Sequence, residues 1–118
     1  SKEPLGPLVR KGDESWFKIV KWTLFAQLAA EEMGITRDNI DEMKKSPLGN
    51  VRRFLGVEPG LGKALGLGDD WAFEIIRQTG NYGESFEHHL GAKSPIGLER
   101  GLNDLWTRGG LMYAPPFL

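Results

Sequence analysis

Apolar residues recur at helical spacing in one long segment and in several short ones. From Glu14 to Met33, ESWFKIVKWTLFAQLAAEEM, the residues Trp16, Val20, Leu24 and Leu28 fall four apart, and Phe17, Ile19 and Phe25 widen the stripe. Side chains four apart share a helix face, so the spacing predicts an amphipathic helix with a broad buried side. Asp13 is placed to cap its start and Gly34 to end it. Ahead of it, PLGPLVR (residues 4–10) carries two prolines and is expected to be extended, with Leu8-Val9 able to form a short strand.

Later elements are shorter. Thr36 or Asp38 is placed to cap a helix to about Lys45 that carries Ile40 and Met43. Ser46-Pro47 is a cap followed by proline at the first helical position, starting a helix with Val51, Phe54 and Leu55 that Gly56 closes. Asp69-Asp70 is another cap signal. Residues 71–90, WAFEIIRQTGNYGESFEHHL, place Trp71, Ile75, Gln78, Tyr82, Phe86 and Leu90 along one line, which predicts one helix weakened at Gly80 and Gly83 and capped by Gly91. Ser94-Pro95 repeats the cap-plus-proline start. A last helix carrying Ile96, Leu98, Leu102, Leu105 and Trp106 is expected to end at Gly109-Gly110, followed by an extended apolar tail, LMYAPPFL. The sum is a mainly α chain of about five helices with at most two short strands. A long apolar helix face with so few strands suggests helices that cover a sheet whose strands lie elsewhere.

Composition narrows the function classes. The 118 residues suit one domain or a piece of one, and 15 Lys and Arg against 16 Asp and Glu give a net charge of −1. That balance argues against a general nucleic-acid or membrane-surface role, which needs a basic excess. The chain has no cysteine, which excludes disulfides and thiolate metal sites. No apolar run is long enough to span a bilayer, and no stretch has the pattern of a signal peptide. The chain starts Ser1-Lys2-Glu3-Pro4 without an initiator Met, as expected of a chain trimmed at its N-terminus.

Four groups of residues invite a chemical reading. GVEPGLGKALGLG (residues 56–68) places Gly beside Lys, as a phosphate-cradling loop does. Such a loop needs Gly, four residues, then Gly-Lys-Ser/Thr after a buried strand. Here five residues separate Gly56 from Gly62-Lys63, Ala64 replaces the metal-holding hydroxyl, Pro59 removes an amide, and a helix precedes it. These glycines are expected to serve as helix stops and tight turns around one helical turn, Leu61–Leu65. His88 and His89 are adjacent and point about 100° apart on a helix, and Glu84 with His88 gives only two ligands where zinc needs at least three. Ser15, Ser46, Ser85 and Ser94 have no nucleophile-elbow context, and Glu31-Glu32 and Asp69-Asp70 sit at helix ends as solubilising or capping groups. Trp16, Trp22, Trp71 and Trp106 are expected mainly in the core. No base, nucleophile and orienting group come together, so the residues favour no enzyme, no metal and no cofactor.

The order of segments is more telling. KEPLGPLVRKGDESWFKIVKWTLFAQLAAEEMGIT resembles a segment of bacterial periplasmic amino-acid-binding proteins, solute-binding protein family 3, where a strand ending in an Arg/Lys-Gly-Asp turn leads into a long helix. GLGKALGL followed by DWAFEIIRQTGNYGE, and then GLNDLWTRGGLMYAPP, resembles the C-terminal extension of the general L-amino-acid-binding subgroup, which feeds an ABC importer. The resemblance covers essentially the whole chain and implies an incomplete one, the last third of a bilobal α/β fold. It implies a return strand and long helix of the first lobe over residues 1–34 and a helical extension over 35–118. The family's Arg for the ligand carboxylate and acidic group for the amine would lie upstream of Ser1, so no ligand-binding residue is expected here. The partners implied for the parent are L-amino acids and a membrane permease, with no nucleic acid, in the periplasm. The isolated chain is expected to dimerise or swap elements. The alternative is a stand-alone helical module that holds a protein partner on its apolar faces.

Overall fold

The computed structural model describes residues 3–117. Five α-helices follow one another: α1 (Glu14–Glu32), α2 (Ile40–Met43), α3 (Gly49–Phe54), α4 (Trp71–Thr79) and α5 (Tyr82–His89). Single 3-10 turns stand at Lys63–Leu65, Gly101–Asn103 and Trp106–Arg108. Among the described residues there is no strand, only one isolated bridge between Leu105 and Met112. Leu8-Val9 therefore forms no strand. A strand needs a partner edge for its amides, and Leu8 stands 96% exposed.

Asp13 caps α1 by accepting from the Trp16 N–H at 3.0 Å, and Gly34 leaves the helix at φ +71°. The burial along α1 differs from the expected stripe. Its C-terminal half is the core: Ala26, Leu28, Ala29 and Ala30 are buried against α4 and α5. At the other end Trp16 is 51% and Phe17 44% exposed, and Val20 and Leu24 are half-buried. The periodicity located the helix correctly, but nothing among the described residues covers the first two turns.

Thr36 and Asn39 exchange hydrogen bonds, each side chain accepting from the other's amide (3.1 and 2.7 Å), which fixes the turn into α2. Ser46 accepts from the Leu48 N–H, and α3 then buries Val51 and Phe54 before Gly56 ends it at φ +79°. The core joins these side chains to Ile35, Ile40, Leu55, Trp71, Ala72 and Ile76.

The expected helix over 71–90 is two helices. Gly80 takes φ +78°, open to glycine alone at little cost, and Asn81 starts α5 with a complete capping box. Its side chain accepts from the Glu84 N–H at 2.9 Å, and Glu84 accepts from the Asn81 N–H at 2.7 Å. The last expected helix does not form. Gly97 and Gly101 both take positive φ, and the two 3-10 turns are all that remains of it. Of its apolar residues Leu105 alone is fully buried, while Ile96, Leu98, Leu102 and Trp106 are exposed. The tail is extended, as expected, and returns across the helices so that Ala114 is buried and Phe117 packs on the core.

Candidate functional site

The glycine-rich loop is closed on itself. The Gly62 N–H donates to Asp69 Oδ1 at 3.0 Å, and the Gly62 carbonyl accepts from Leu67 at 3.0 Å. A phosphate cradle needs free amides converging on open space. Here the amide beside Lys63 is spent on a carboxylate, and a Cβ on Gly62 would overlap the Leu67 and Gly68 carbonyl oxygens. Lys63 and Ala64 face outward, exposed. Asp69 thus ties the loop, and Asp70, at the N-cap of α4, makes no side-chain cap bond, contrary to the capping expected of both.

The histidines stand edge to face, with ring centroids 4.7 Å apart, at the exposed end of α5. Glu84 is committed elsewhere, accepting from the Asn81 and Arg37 amides. No group of three or more metal-ligating side chains exists among the described residues. Ser46 and Ser94 serve turns, Ser94 donating to the Gly91 carbonyl and accepting from the Ile96 N–H. Ser15 lies exposed in the first turn of α1 and Ser85 within α5. Of the tryptophans, Trp71 is buried with its indole N–H on the Leu61 carbonyl (3.2 Å), and Trp22 packs at the core edge. Trp16 and Trp106 stand about half exposed.

The pair Glu31-Glu32, expected to be solubilising, instead forms the polar centre of the structure. Glu31 accepts both guanidinium nitrogens of Arg100 (2.8 and 3.0 Å) and Arg108 at 2.6 Å, with its own side chain 9% exposed. Asp104 joins from the far side, accepting from Arg108 at 2.9 Å and lying 3.7 Å from Arg100. Glu32 accepts the Ala114 N–H at 2.9 Å. The Glu31 hydrogen bond raises the Arg100 pKa further above the usual range, against the effect of burial. Burial pushes the Asp104 carboxyl up, but the Leu105 N–H and Arg108 outweigh it and hold the group below the usual Asp value. The Arg100 plane also lies over Tyr82 and Phe86 at 5.5 and 5.4 Å from their centroids. Gly83 makes room: a Cβ there would stand 2.5 Å from Glu31 Oε2. Spacing could not reveal this cluster, because its members are 69 and 77 residues apart.

The arrangement ties residues 100–108 and the tail to the end of α1. Glu31, Asp104, Arg100 and Arg108 are paired with one another, and Glu32 accepts the Ala114 backbone N–H. Exposed apolar side chains stand at the start of α1, continued by Leu5 and Leu8 at 94% and 96% exposure, and again at Trp106, Leu111 and Tyr113. None of the described helices is long and apolar enough to cross a membrane.

A long helix whose N-terminal face lacks a partner among the described residues leads into a set of shorter helices, and this arrangement matches a fragment of a periplasmic-binding-protein fold. The chain matches about one third of the periplasmic binding proteins of amino-acid ABC transporters. It is 56% identical over 118 residues to the general L-amino acid-binding periplasmic protein AapJ of Rhizobium johnstonii, covering 98% of this chain and 35% of that protein. It is 55% identical to the glutamate/glutamine/aspartate/asparagine-binding protein BztA of Rhodobacter capsulatus (99% and 35%). It is 54% identical to the putative amino-acid ABC transporter-binding protein YhdW of Escherichia coli K12 (98% and 34%). Among solved structures, an ABC transporter periplasmic binding protein from Brucella ovis with glutathione bound superposes with a TM-score of 0.89 at 48% identity. That match covers 93% of this chain and 35% of that one. No protein-family model matches the chain. The relatives are binding proteins rather than enzymes, and the chain spans about a third of their length.

Proposed function

We propose that this chain is part of the substrate-binding component of an amino-acid ABC importer, which binds L-amino acids in the periplasm and delivers them to a membrane permease. The observation that carries this reading is identity of 54–56% sustained over nearly the whole chain to proteins named for amino-acid binding or amino-acid ABC transport. Identity at that level over nearly the whole chain points to one shared architecture.

Within that parent the chain is scaffold. Residues 1–34 correspond to the return into the first lobe and its long helix, and 35–118 to a helical extension. The chain catalyses nothing and holds no ligand residue. The charged groups of the Glu31 cluster are engaged with one another, and the parent's ligand residues are expected upstream of this chain. In isolation the bare start of α1 drives self-association.

Tryptophan fluorescence and calorimetry with a panel of L-amino acids test the reading. The 118-residue chain is expected to bind none of them, and a version extended upstream by the remainder of the two lobes is expected to bind several. Tight binding by the short chain, or none by the extended one, overturns the proposal.

A further inference from the structure

Residues 100–112 form a loop that is bonded mostly to itself. The Trp106 N–H donates to the Met112 carbonyl at 2.9 Å, Met112 to Asp104 at 3.1 Å, Leu111 to Leu102 at 2.9 Å and Gly110 to Leu105 at 3.0 Å. The Asp104 carboxylate accepts from the Leu105 N–H and from Arg108 at 2.8 and 2.9 Å. Gly110 lets the loop close, because a Cβ there would overlap the Asp104 carbonyl. Among the described residues, every hydrogen bond from this loop to the rest of the chain ends on one carboxylate, Glu31, which accepts Arg100 twice and Arg108 once. The apolar hold is small. Leu105 is buried and Met112 packs on the core, but Leu102, Trp106 and Leu111 are exposed. Leu105 and Phe86 are buried outside the main core cluster. On either side the chain is pinned again, by the Leu98 N–H on the Leu90 carbonyl (2.8 Å) and by the Ala114 N–H on Glu32 (2.9 Å).

A self-bonded segment with few buried apolar contacts opens as a unit, at less free energy than global unfolding. Its docking here turns on a single charge. With Glu31 ionised, two arginines face two carboxylates, Glu31 and Asp104. Without that charge, the mostly buried Arg100 keeps only Asp104, 3.7 Å away, as its counter-charge, and a buried cation stripped of its close partner is costly. We propose that residues 100–112 are a preformed lid, docked on the end of α1 and on α5, that swings open between the pins at Leu98 and Ala114 with Glu31 as its latch. Opening carries the Arg100 guanidinium off Tyr82 and Phe86 and uncovers that aromatic face of α5.

Hydrogen exchange of the unaltered chain in rising, sub-denaturing urea tests this. The amides of Trp106, Gly110, Leu111 and Met112 are expected to exchange through an opening nearly independent of urea, and those of α4 only through a urea-dependent global event. Two variants separate a latch from a loop that is simply part of the core. Glu31→Gln keeps the side-chain shape and removes the charge. It is expected to speed exchange of the loop amides about tenfold or more, with the helical circular dichroism unchanged. Ile76→Val weakens a core that the docked and the open forms share, because Ile76 is fully buried on α4. It is expected to speed the α4 amides and leave the loop amides as they were. Four results each overturn the proposal: loop amides with the urea dependence of α4, loop exchange unmoved by Glu31→Gln, helical signal lost in that variant, or equal acceleration of loop and α4 by Ile76→Val.

Discussion

Glycine separates two kinds of constraint within a single loop. Gly62 has φ −91°, which any residue adopts, yet its missing Cβ is the space taken by the Leu67 and Gly68 carbonyls. Gly66 has open space around it but φ +69°. Gly62→Ala must displace backbone, and over-packing of that kind costs about 1–3 kcal/mol or more. Gly66→Ala meets only the left-handed penalty of about 1–2 kcal/mol. Chemical denaturation is expected to rank Gly62→Ala as the more damaging, and equal costs would mean the loop does not close on Gly62. The sequence showed that this stretch is no phosphate loop, through Ala64, Pro59 and the spacing. It did not show that Asp69 reaches back to the Gly62 amide, because a bond over seven residues has no local signature.

At the scale of elements, Gly80 and Asn81 together set where one helix stops and the next starts. Asn81 caps α5, shares a box with Glu84, and donates its side-chain amide to the Ile35 carbonyl at 2.8 Å while only 5% exposed. Asn81→Ala removes a cap worth about 1 kcal/mol and leaves a buried carbonyl unpaired at a further 1–3 kcal/mol or so. A fall of about 2–4 kcal/mol in unfolding free energy, with the α4–α5 break retained, is the expected result. A change below about 0.5 kcal/mol would assign the break to Gly80 alone. Elements with a strong period and a local cap were legible: α1 with Asp13, α3 with Val51 and Phe54. The 71–90 segment was misread because its apolar line continues across Gly80, and a period carries no record of a φ +78° turn. The region after Ser94 was misread for a related reason. Ser94-Pro95 is a true turn signal, but Gly97 and Gly101 prevent the helix it announces, and the chain is held instead by Arg100 and Arg108 on Glu31.

The whole molecule exposes more surface than its size requires. A folded monomer of 13.2 kDa is expected to expose roughly 6,400 Å², whereas this chain exposes 8053 Å². Part of the excess is apolar: Leu5, Leu8, Trp16 and Phe17 in the region that resembles the return into a lobe, and Leu102, Trp106, Leu111 and Tyr113 toward the other end of the chain. At the other end of α1 the buried side chains form one core, and every fully buried side-chain polar atom among the described residues is hydrogen-bonded. The start of α1 has no such cover. Patches of this kind drive association when nothing covers them. In sedimentation velocity the isolated chain is expected to run above the monomer at tens of micromolar, on the order of a weak-to-moderate dimer. The double variant Trp16→Gln with Phe17→Gln is expected to run as a monomer with unchanged helical signal, since neither side chain contributes to the core. A monomeric parent chain would remove the start of α1 as an interface. A variant that still associates would move the interface elsewhere. If, as proposed, the start of α1 packs on a lobe of a longer parent, extension of the chain upstream abolishes the self-association without any substitution, because the same face cannot pack on its own lobe and on a second copy at once.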